Sequence, residues 1–333
     1  MELRQLSLRE WDDALPETGI EAFHTPDALS VLDDHTASDL QLVGGFKGER
    51  PVALLPVFVQ SLPIGTVVTS PPPGMGVPRL GPVMMPASPK QRKREKVFRT
   101  FTNLVVDEFG LDGYGTLSKI TCRTGFEDPR PYVWKDLSLD TKFTYRLDVS
   151  ESDPDDLLRQ ASKSLRREVR DATELDVTVT REGIDAARHV FEQTRDRYAE
   201  QDRPFSQEWS YVRDLYRALG EMARVYVARS DDGEFLTGVT VFYSPDAAYF
   251  WQGGGRTVHD GVAVNSLIHW RILEEIATDP PRDTVTAYDL YGANTERLCR
   301  YKSKFGAELV PYYSVGTAGY RMTIAERLYE LVK

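Results

Sequence analysis

The same order of predicted elements occurs twice along this 333-residue chain. Each half is expected to contain a strand, a helix, an antiparallel hairpin, a further strand, a second helix and a last strand. The hairpins are the clearest elements. One turns at 47–50, and the other turns at Asp231-Asp232-Gly233 between the predicted strands 224–229 and 235–243. The order predicts two copies of one α+β unit without obvious sequence identity between them.

The chain length supports this division, because 333 residues suit two domains of ordinary size better than one. We expect domains at 1–150 and 151–333, with the seam between Asp148 and Pro154. Each domain should hold a mixed, mostly antiparallel sheet flanked by helices. A helix at about 322–331 is expected to end the second domain.

Composition predicts a cytoplasmic protein with no membrane span and no metal. The longest mostly apolar run, 52–59, is far shorter than the ~20 residues that cross a bilayer, and the first residues lack the pattern of a secretion signal. Cys122 and Cys299 are isolated and the five His residues are scattered. We therefore expect free thiols and no zinc site.

Acidic residues outnumber basic ones in both halves. Residues 1–150 carry 17 basic and 20 acidic side chains and residues 151–333 carry 24 and 31, so the net charges are −3 and −7. Neither half has the bulk charge of a nucleic-acid-binding domain. Only 11 of the 41 basic residues are Lys, and 28 of the 51 acids are Asp. This pattern suits a salt-adapted cytoplasm, although a GC-rich genome would also favour Arg over Lys.

Two groups of cations stand out against this acidic background. The first forms one face of a helix predicted at 152–173: Arg159, Lys163, Arg166 and Arg170. The second opens a helix predicted at 88–109, where the helix dipole disfavours cations: Lys90, Arg92, Lys93, Arg94, Lys96 and Arg99. The first group is a candidate substrate-binding face for phosphates, and the second is a candidate contact for RNA or phosphate. For each, a solvated face is the alternative.

A glycine run follows the predicted strand 248–252. Glycines there permit close backbone approach, and free amides with a helix N-terminus attract anions. The run lacks the Gly-Lys-Ser/Thr of a P-loop and the spacing of a dinucleotide fingerprint, so a plain loop is the alternative. The candidate donor-binding residues are Gln252, Gly253, Gly254, Gly255, Arg256 and Asn265.

A lysine near the C-terminus lies at the edge of an apolar helix face. Lys302 belongs to a helix predicted at 295–305, with Asn294 as its N-cap and Gly306 as its C-cap. Partial desolvation there would strengthen its interaction with an anion, whereas a snorkelling lysine is the alternative. Asp289, on the preceding strand, would orient a substrate amine or bond the loop amides. No motif supports a covalent hydrolase or a metal nuclease.

These last segments resemble a known group. Asp289-Leu-Tyr-Gly-Ala-Asn-Thr and Tyr301-Lys-Ser-Lys-Phe-Gly-Ala are similar to the Asp-Leu-Gly-Gly … Phe-Lys-x-x-Phe-Gly signature of Fem-type transferases, which belong to the GNAT-fold acyltransferases. The segments 128–134, 143–148 and 162–170 resemble the family in the same order. The similarity extends over about 40–318.

The resemblance implies two tandem GNAT-like domains and a catalytic role for Lys302, with Asp289 beside it. It also implies a substrate-binding set: Arg195, Arg197, Tyr291, Asn294, Tyr301 and Phe305. The sequence departs from the family where Tyr291 replaces the first Gly of Gly-Gly. It also lacks the usual coenzyme loop, Gln/Arg-x-x-Gly-x-Gly/Ala.

Two hypotheses about function follow. In the first, the protein moves an acyl group from an activated donor, aminoacyl-tRNA or acyl-CoA, to an amine on a small phosphate- or nucleotide-bearing acceptor, as in cell-envelope precursor synthesis. Acyl-CoA or aminoacyl-tRNA would then be a co-substrate, with no bound cofactor, and N-acetylation by acetyl-CoA is one form of this chemistry. In the second, a catalytically inactive tandem-GNAT module binds RNA or an anionic glycan precursor. The oligomeric state stays open.

Overall fold

The computed structural model describes residues 1–63, 65–150, 153–254 and 257–317. Its residues separate into two units. Among the described residues, unit 1 comprises Met1–Lys142 and Pro311–Thr317, and unit 2 comprises Phe143–Val310.

Unit 1 begins with a strand and two short helices, continues through a meander of strands, and returns through a long helix. The capping box of Ser7 and Glu10, in which each side chain bonds the other's backbone, starts the first helix. The elements are β1 (Glu2–Leu6), α1 (Leu8–Ala14), α2 (Pro26–Asp34), β2 (Asp39–Lys47), β3 (Arg50–Leu62), β4 (Gly65–Ser70), β5 (Val83–Met84), α3 (Gln91–Phe109), β6 (Thr116–Thr121) and α4 (Arg130–Val133).

The remaining elements belong mainly to unit 2, although β7 begins and β15 ends in unit 1. They are β7 (Ser138–Asp148), α5 (Pro154–Gln160), α6 (Lys163–Thr173), β8 (Thr178–Glu182), α7 (Ile184–Ala199), α8 (Trp209–Leu219), β9 (Ala223–Arg229), β10 (Phe235–Tyr243), β11 (Ala247–Gly253), β12 (Val258–His259), β13 (Val262–Ala263), α9 (Asn265–Thr278), β14 (Ala287–Asp289), α10 (Glu296–Lys302) and β15 (Glu308–Gly316). Short 3₁₀ turns occur at Ala22–His24, Gly220–Met222 and Ser303–Phe305.

Each unit has a mixed sheet in which one pair of strands is parallel. In unit 1 the order is β1-β2-β3-β4-β6, and β4 pairs with β6 in parallel. In unit 2 the order is β7-β14-β11-β10-β9-β8, and β11 pairs with β14 in parallel. The other neighbours whose registers are known are antiparallel. The predicted α+β class, with mostly antiparallel sheets flanked by helices, is confirmed.

The parallel pair of unit 2 is short, which matters for the site. It extends from Ala247 opposite Ala287 to Tyr249 opposite Asp289. Because β14 ends at Asp289 while β11 continues to Gly253, the last residues of β11 extend beyond the end of β14. Beyond Asp289 the chain leaves as a loop toward α10.

The two units exchange their last strands, so their boundaries differ from the expected division at residue 150. The end of β7 pairs with β14 of unit 2 through Arg146–Asp148, although it follows the unit 1 elements in sequence. The end of β15 pairs with β6 of unit 1 through Ser314–Gly316. Strand pairing therefore places the chain from Phe143 in unit 2 and the chain from Pro311 in unit 1.

One predicted helix is wrong in a way that affects the site. The expected helix 152–173 is two helices, α5 and α6, which are separated at Ala161-Ser162. The Ser162 side chain accepts a hydrogen bond from the Leu165 amide at 3.2 Å and so caps α6. Ser152, the first residue of the predicted helix, lies outside the described residues, and the Asp153 side chain caps α5.

The cores lie where the helices cover the sheets. In unit 2, α6 and α9 contribute apolar side chains such as Leu165, Val169, Ile268 and Ile272 to one cluster with the sheet residues Tyr226 and Val241. Each such side chain contributes roughly 1.5–3 kcal/mol through burial. None of the helices in the described ranges combines the length and the hydropathy needed to cross a bilayer. The tail at 322–331 lies outside those ranges.

Candidate functional site

Lys302 is buried at the C-terminal end of α10. The residue is 4% exposed to solvent. The ammonium Nζ donates hydrogen bonds to the carbonyl oxygens of Tyr291 and Gly292, the latter at 2.8 Å, and it lies 5.7 Å from the centre of the Phe250 ring. The nitrogen is therefore directed onto the loop that follows β14 and away from bulk water.

The loop reaches this nitrogen because two successive residues adopt left-handed backbone conformations. Tyr291 has φ +59° and Gly292 has φ +73°. Glycine adopts this conformation without strain, whereas a side chain such as that of Tyr291 costs about 1–2 kcal/mol. The position where the Fem-type pattern has its first Gly is thus strained here, and the local contacts hold it in place.

Asp289 supplies those contacts. It is 1% exposed, and its Oδ1 accepts hydrogen bonds from the Thr144 hydroxyl at 2.5 Å and from the Tyr291 amide at 2.8 Å. The Thr144 hydroxyl oxygen in turn accepts from the Gly292 amide at 3.1 Å. This geometry favours the loop-bonding interpretation of Asp289, which positions the carbonyls that hold Lys302.

Burial lowers the pKa of Lys302 to about 8, because the ammonium loses its hydration. The negative charge of Asp289 opposes this effect, and the positive charge of Arg197 adds to it. Lys302 is therefore still mainly charged at neutral pH, but its pKa lies close to neutral pH. Such a poised group is typical of a functional site.

Three arginines lie close together in the same unit. The guanidinium of Arg197, at the end of α7, donates from Nη1 to the Gly254 carbonyl at 3.0 Å. The guanidinium carbons of Arg197 and Arg203 lie 5.6 and 4.7 Å from the centre of the Tyr198 ring, and Arg297 donates to Gln201 Oε1 at 2.8 Å. Burial lowers the pKa of Arg197, and the charges of Arg297 and Arg203 lower it further. This cluster, Arg197, Arg203 and Arg297, is called the arginine cluster below.

Sequence reasoning found only one member of this cluster. Arg195, proposed together with Arg197, is exposed and pairs with the adjacent Asp196 at 3.0 Å. Arg203 follows α7 in a turn and Arg297 lies in the first turn of α10. No pattern in the sequence predicts that Arg203 and Arg297 lie close to Arg197.

The described part of the glycine run is explained by packing. A Cβ on Gly253 would lie 2.5 Å from the Phe250 ring, and a Cβ on Gly254 would lie 2.3 Å from Gln193 Oε1. The Gly254 amide donates to the Gly238 carbonyl at 3.2 Å, so it is already bonded within the sheet. Gly255 and Arg256 lie outside the described residues.

The other two residues of the proposed donor set have different surroundings. Asn265 Oδ1 accepts from the Thr257 amide at 2.7 Å, which closes the loop before α9. Gln252 is 4% exposed and donates to Gln207 Oε1 at 2.5 Å. Within the described ranges, four buried side-chain oxygens around the end of β11 have no hydrogen-bond partner: those of Gln193, Thr237, Thr240 and Gln252. Buried polar atoms without partners are rare, so these four oxygens are candidates for contacts with a bound molecule or with water.

Tyr301 and Phe305 form part of an aromatic cluster beneath Lys302. Their rings lie 6.1 and 5.2 Å from that of His269, which is fully buried and bonds the Tyr288 hydroxyl at 2.9 Å. Burial lowers the pKa of His269 to about 3 and raises that of Tyr301. Tyr301 also borders a shallow groove of about 360 Å³ beside Arg297, Arg300 and Lys304. Phe305 is a core residue.

Asn294 and the cationic row also have structural partners. Asn294 exchanges two side-chain hydrogen bonds with the backbone of Phe143, at 2.9 and 3.2 Å, and Thr295 is the N-cap of α10 instead. The proposed row Arg159, Lys163, Arg166 and Arg170 is divided by the break between α5 and α6. Arg159 pairs with Asp156, and Arg170 with Asp171 at 3.2 Å. The solvated-face interpretation fits these residues.

Residues 159–303 match the family model of the acetyltransferase (GNAT) domain. This part of the chain is similar to a GNAT domain. No curated protein has a significantly similar sequence. Among solved structures, FemX has a TM-score of 0.68 at 10% identity, with 94% of this chain and 97% of that chain covered.

Two further structures show the same fold. The C-terminal domain of a putative lysylphosphatidylglycerol synthetase from Agrobacterium fabrum has a TM-score of 0.57 at 12% identity, with coverage of 96% and 94%. L-PGS from Bacillus licheniformis has a TM-score of 0.51 at 12% identity, with coverage of 91% and 95%. The predicted resemblance to Fem-type and GNAT-fold acyltransferases is confirmed, and Lys302 and Arg197 both lie within the GNAT match.

Proposed function

We propose that this protein transfers an acyl or aminoacyl group from an activated, phosphate-bearing carrier to an amine on a small anionic acceptor. One observation carries the proposal. Lys302 is buried and Arg197 is half-buried, and each donates to backbone carbonyl oxygens, with no salt bridge to a carboxylate among the described residues. The GNAT fold supports the reaction class.

Carbonyl oxygens orient a cation without neutralising it. Arg203 and Arg297 add positive charge beside Arg197, and the nearest acid to Lys302, Asp289, is already bonded to Thr144 and the loop. A phosphate bound at this cluster would relieve the repulsion, since guanidinium groups pair with phosphate oxygens in a fork. The excess charge therefore favours a carrier or acceptor that contains phosphate.

The chemistry needs positioning and charge stabilisation. A neutral amine attacks the carbonyl carbon of a thioester or ester, so that a C–N bond forms and the C–S or C–O bond breaks. The departing thiol or hydroxyl takes up the proton that the amine loses. Lys302 has three N–H groups, two of which bond carbonyls, and the third would stabilise the oxyanion or an adjacent phosphate.

Two donors fit this scheme, acyl-CoA and aminoacyl-tRNA. The Gly254 amide is bonded within the sheet, which argues against a coenzyme loop of the usual type at that residue. The unpaired oxygens at Gln252 and Thr240 offer acceptors to the N–H groups of a donor or acceptor. A nucleotide-linked precursor of the cell envelope is the acceptor that we propose.

A thermal-shift panel would identify the carrier. Acetyl-CoA, longer acyl-CoAs, aminoacyl-tRNA and UDP-sugars should be compared at several salt concentrations, because a ligand that binds the folded state raises Tm and phosphate contacts weaken with salt. We expect one carrier class to raise Tm in low salt. If no member of the panel shifts Tm, the proposal fails.

Turnover of the matching pair then separates an enzyme from an inactive binding module. Lys302→Met should lose at least 10-fold in kcat while it retains a cooperative unfolding transition. Lys304→Met is the matched control, because Lys304 is a part-exposed lysine two residues away that bonds Glu168 at 3.0 Å. Equal turnover in both variants would exclude the role of Lys302. Binding without any turnover in the wild type would favour the binding module.

A further inference from the structure

Unit 1 contains a cavity that the proposed transfer reaction does not use. It has a volume of about 430 Å³ and lies between the segment 84–89, the first turns of α3 and the segment 123–127. Apolar side chains of Met84, Phe98 and Phe126 line it together with charged side chains of Arg94, Arg123 and Glu127. Its volume is in the range of about 300–1,000 Å³ that small-molecule sites occupy.

The charged side of the cavity has an excess positive charge. Arg94 pairs with Glu127, whereas Arg123 donates from Nη1 to the Thr124 carbonyl at 3.2 Å. The neighbouring acids Glu95 and Asp128 both pair with Arg130, at 3.0 and 2.7 Å. One carboxylate therefore faces two guanidiniums in this cavity.

Each of these guanidiniums also has an unused donor. The Nε atoms of Arg94 and Arg123 are buried and have no hydrogen-bond partner within the described part of the chain. Burying a donor without an acceptor is unfavourable, so such atoms call for an explanation. A ligand oxygen at the cavity would supply an acceptor.

The basic segment at the start of α3 supplies further cations on the same helix. Its exposed members are Lys90, Arg92, Lys93, Lys96 and Arg99. The 19-residue helix places several of them in its first turns, where its dipole disfavours them. These five side chains do not line the cavity, so they serve as controls for the effect of surface charge.

We propose that this cavity binds a small molecule with a carboxylate or phosphate group on an apolar body. The guanidiniums of Arg94 and Arg123 would bind the anionic group through fork-like hydrogen bonds. The Phe98 and Phe126 rings, whose centres are 5.4 Å apart, and Met84 would contact the apolar body. The site is independent of Lys302 and of the arginine cluster.

Calorimetric titration of the full chain with matched probes tests this site. The probes are phenylacetate, phenyl phosphate, the neutral phenylacetamide and inorganic phosphate. We expect saturable binding of phenylacetate or phenyl phosphate, with at least 10-fold weaker binding of the amide and of inorganic phosphate. Tighter binding of phenylacetate would identify the ligand's anionic group as a carboxylate, and tighter binding of phenyl phosphate would identify it as a phosphate.

Three variants locate the binding. Arg123→Gln should weaken the preferred probe at least 10-fold, and Arg123→Lys should weaken it less, because it keeps the charge but loses the fork. Arg92→Gln is the control, since Arg92 is exposed on the same helix and does not line the cavity. It should change affinity less than 2-fold.

The proposal is overturned if neither anionic probe binds saturably. It is also overturned if Arg123→Lys and Arg123→Gln bind as tightly as the wild type. An equal loss in Arg92→Gln and Arg123→Gln would show that surface charge alone attracts the anion. Should Arg123→Gln fail to fold, the comparison of Arg123→Lys with Arg92→Gln decides.

Discussion

At the scale of single residues, Lys302 shows how burial and charge act against each other. Its ammonium is removed from water and is kept in place by two carbonyls of a strained loop. The sequence indicated partial desolvation from the position of Lys302 beside an apolar helix face. It could not indicate the carbonyl partners, because these depend on left-handed backbone at Tyr291, where the residue type favours extended or helical conformations.

The lowered pKa of Lys302 predicts how stability changes with pH. The folded protein releases this proton near pH 8 and the unfolded chain near 10.5, so the unfolded state binds more protons between these values. The free energy of unfolding of the wild type should rise from pH 8 to 10.5 relative to Lys302→Met. Urea denaturation of both proteins at pH 7, 8.5 and 10 measures these free energies. A difference between wild type and Lys302→Met that does not change with pH would contradict the lowered pKa.

The neighbouring arginines predict a difference between two similar substitutions. Arg197→Gln removes a part-buried cation from the arginine cluster, whereas Arg195→Gln removes an exposed one that pairs with Asp196. We expect the carrier to bind at least 10-fold more weakly to the first variant, about 1.4 kcal/mol, and less than 2-fold more weakly to the second. Titration calorimetry in low salt measures both. Similar losses would assign the effect to overall charge.

At the scale of elements, the helix break at Ala161-Ser162 shows what periodicity misses. The apolar spacing continues across the break, so the pattern predicted one helix with a row of four cations. A serine inside such a pattern suits a solvent-facing position or an N-cap equally well, and only the structure shows that Ser162 caps α6. The two hairpins were predictable because their turns have strong local signals.

The capping role of Ser162 has a measurable energetic consequence. Ser162→Ala removes the hydrogen bond from the Leu165 amide and should lower the free energy of unfolding by about 1 kcal/mol. Lys163→Ala, in the first turn of the same helix, is the control because this exposed side chain takes no part in that bond. Chemical denaturation of both variants measures the effect. Equal stabilities would show that α6 does not depend on this cap.

At the scale of the whole molecule, the net charge is −10. In dilute salt, the excess acidic side chains should repel one another and destabilise the folded state. Screening by added salt reduces such repulsion. If the acidic, Lys-poor composition reflects salt adaptation, Tm should rise steadily between 0.1 and 2 M KCl. Differential scanning calorimetry of the ligand-free protein at each KCl concentration checks this. A constant Tm would favour the genomic explanation of the Arg bias.

The strand exchange has a consequence for how this chain can be divided. Unit 2 is one uninterrupted stretch from Phe143 to Val310, whereas unit 1 needs material from both ends of the polypeptide. A single cut therefore cannot liberate two complete halves. A fragment consisting of unit 2 alone keeps all of that unit's residues in one segment. The two segments of unit 1 would have to be joined by a new connection. The chain is therefore arranged as if unit 2 were inserted into unit 1.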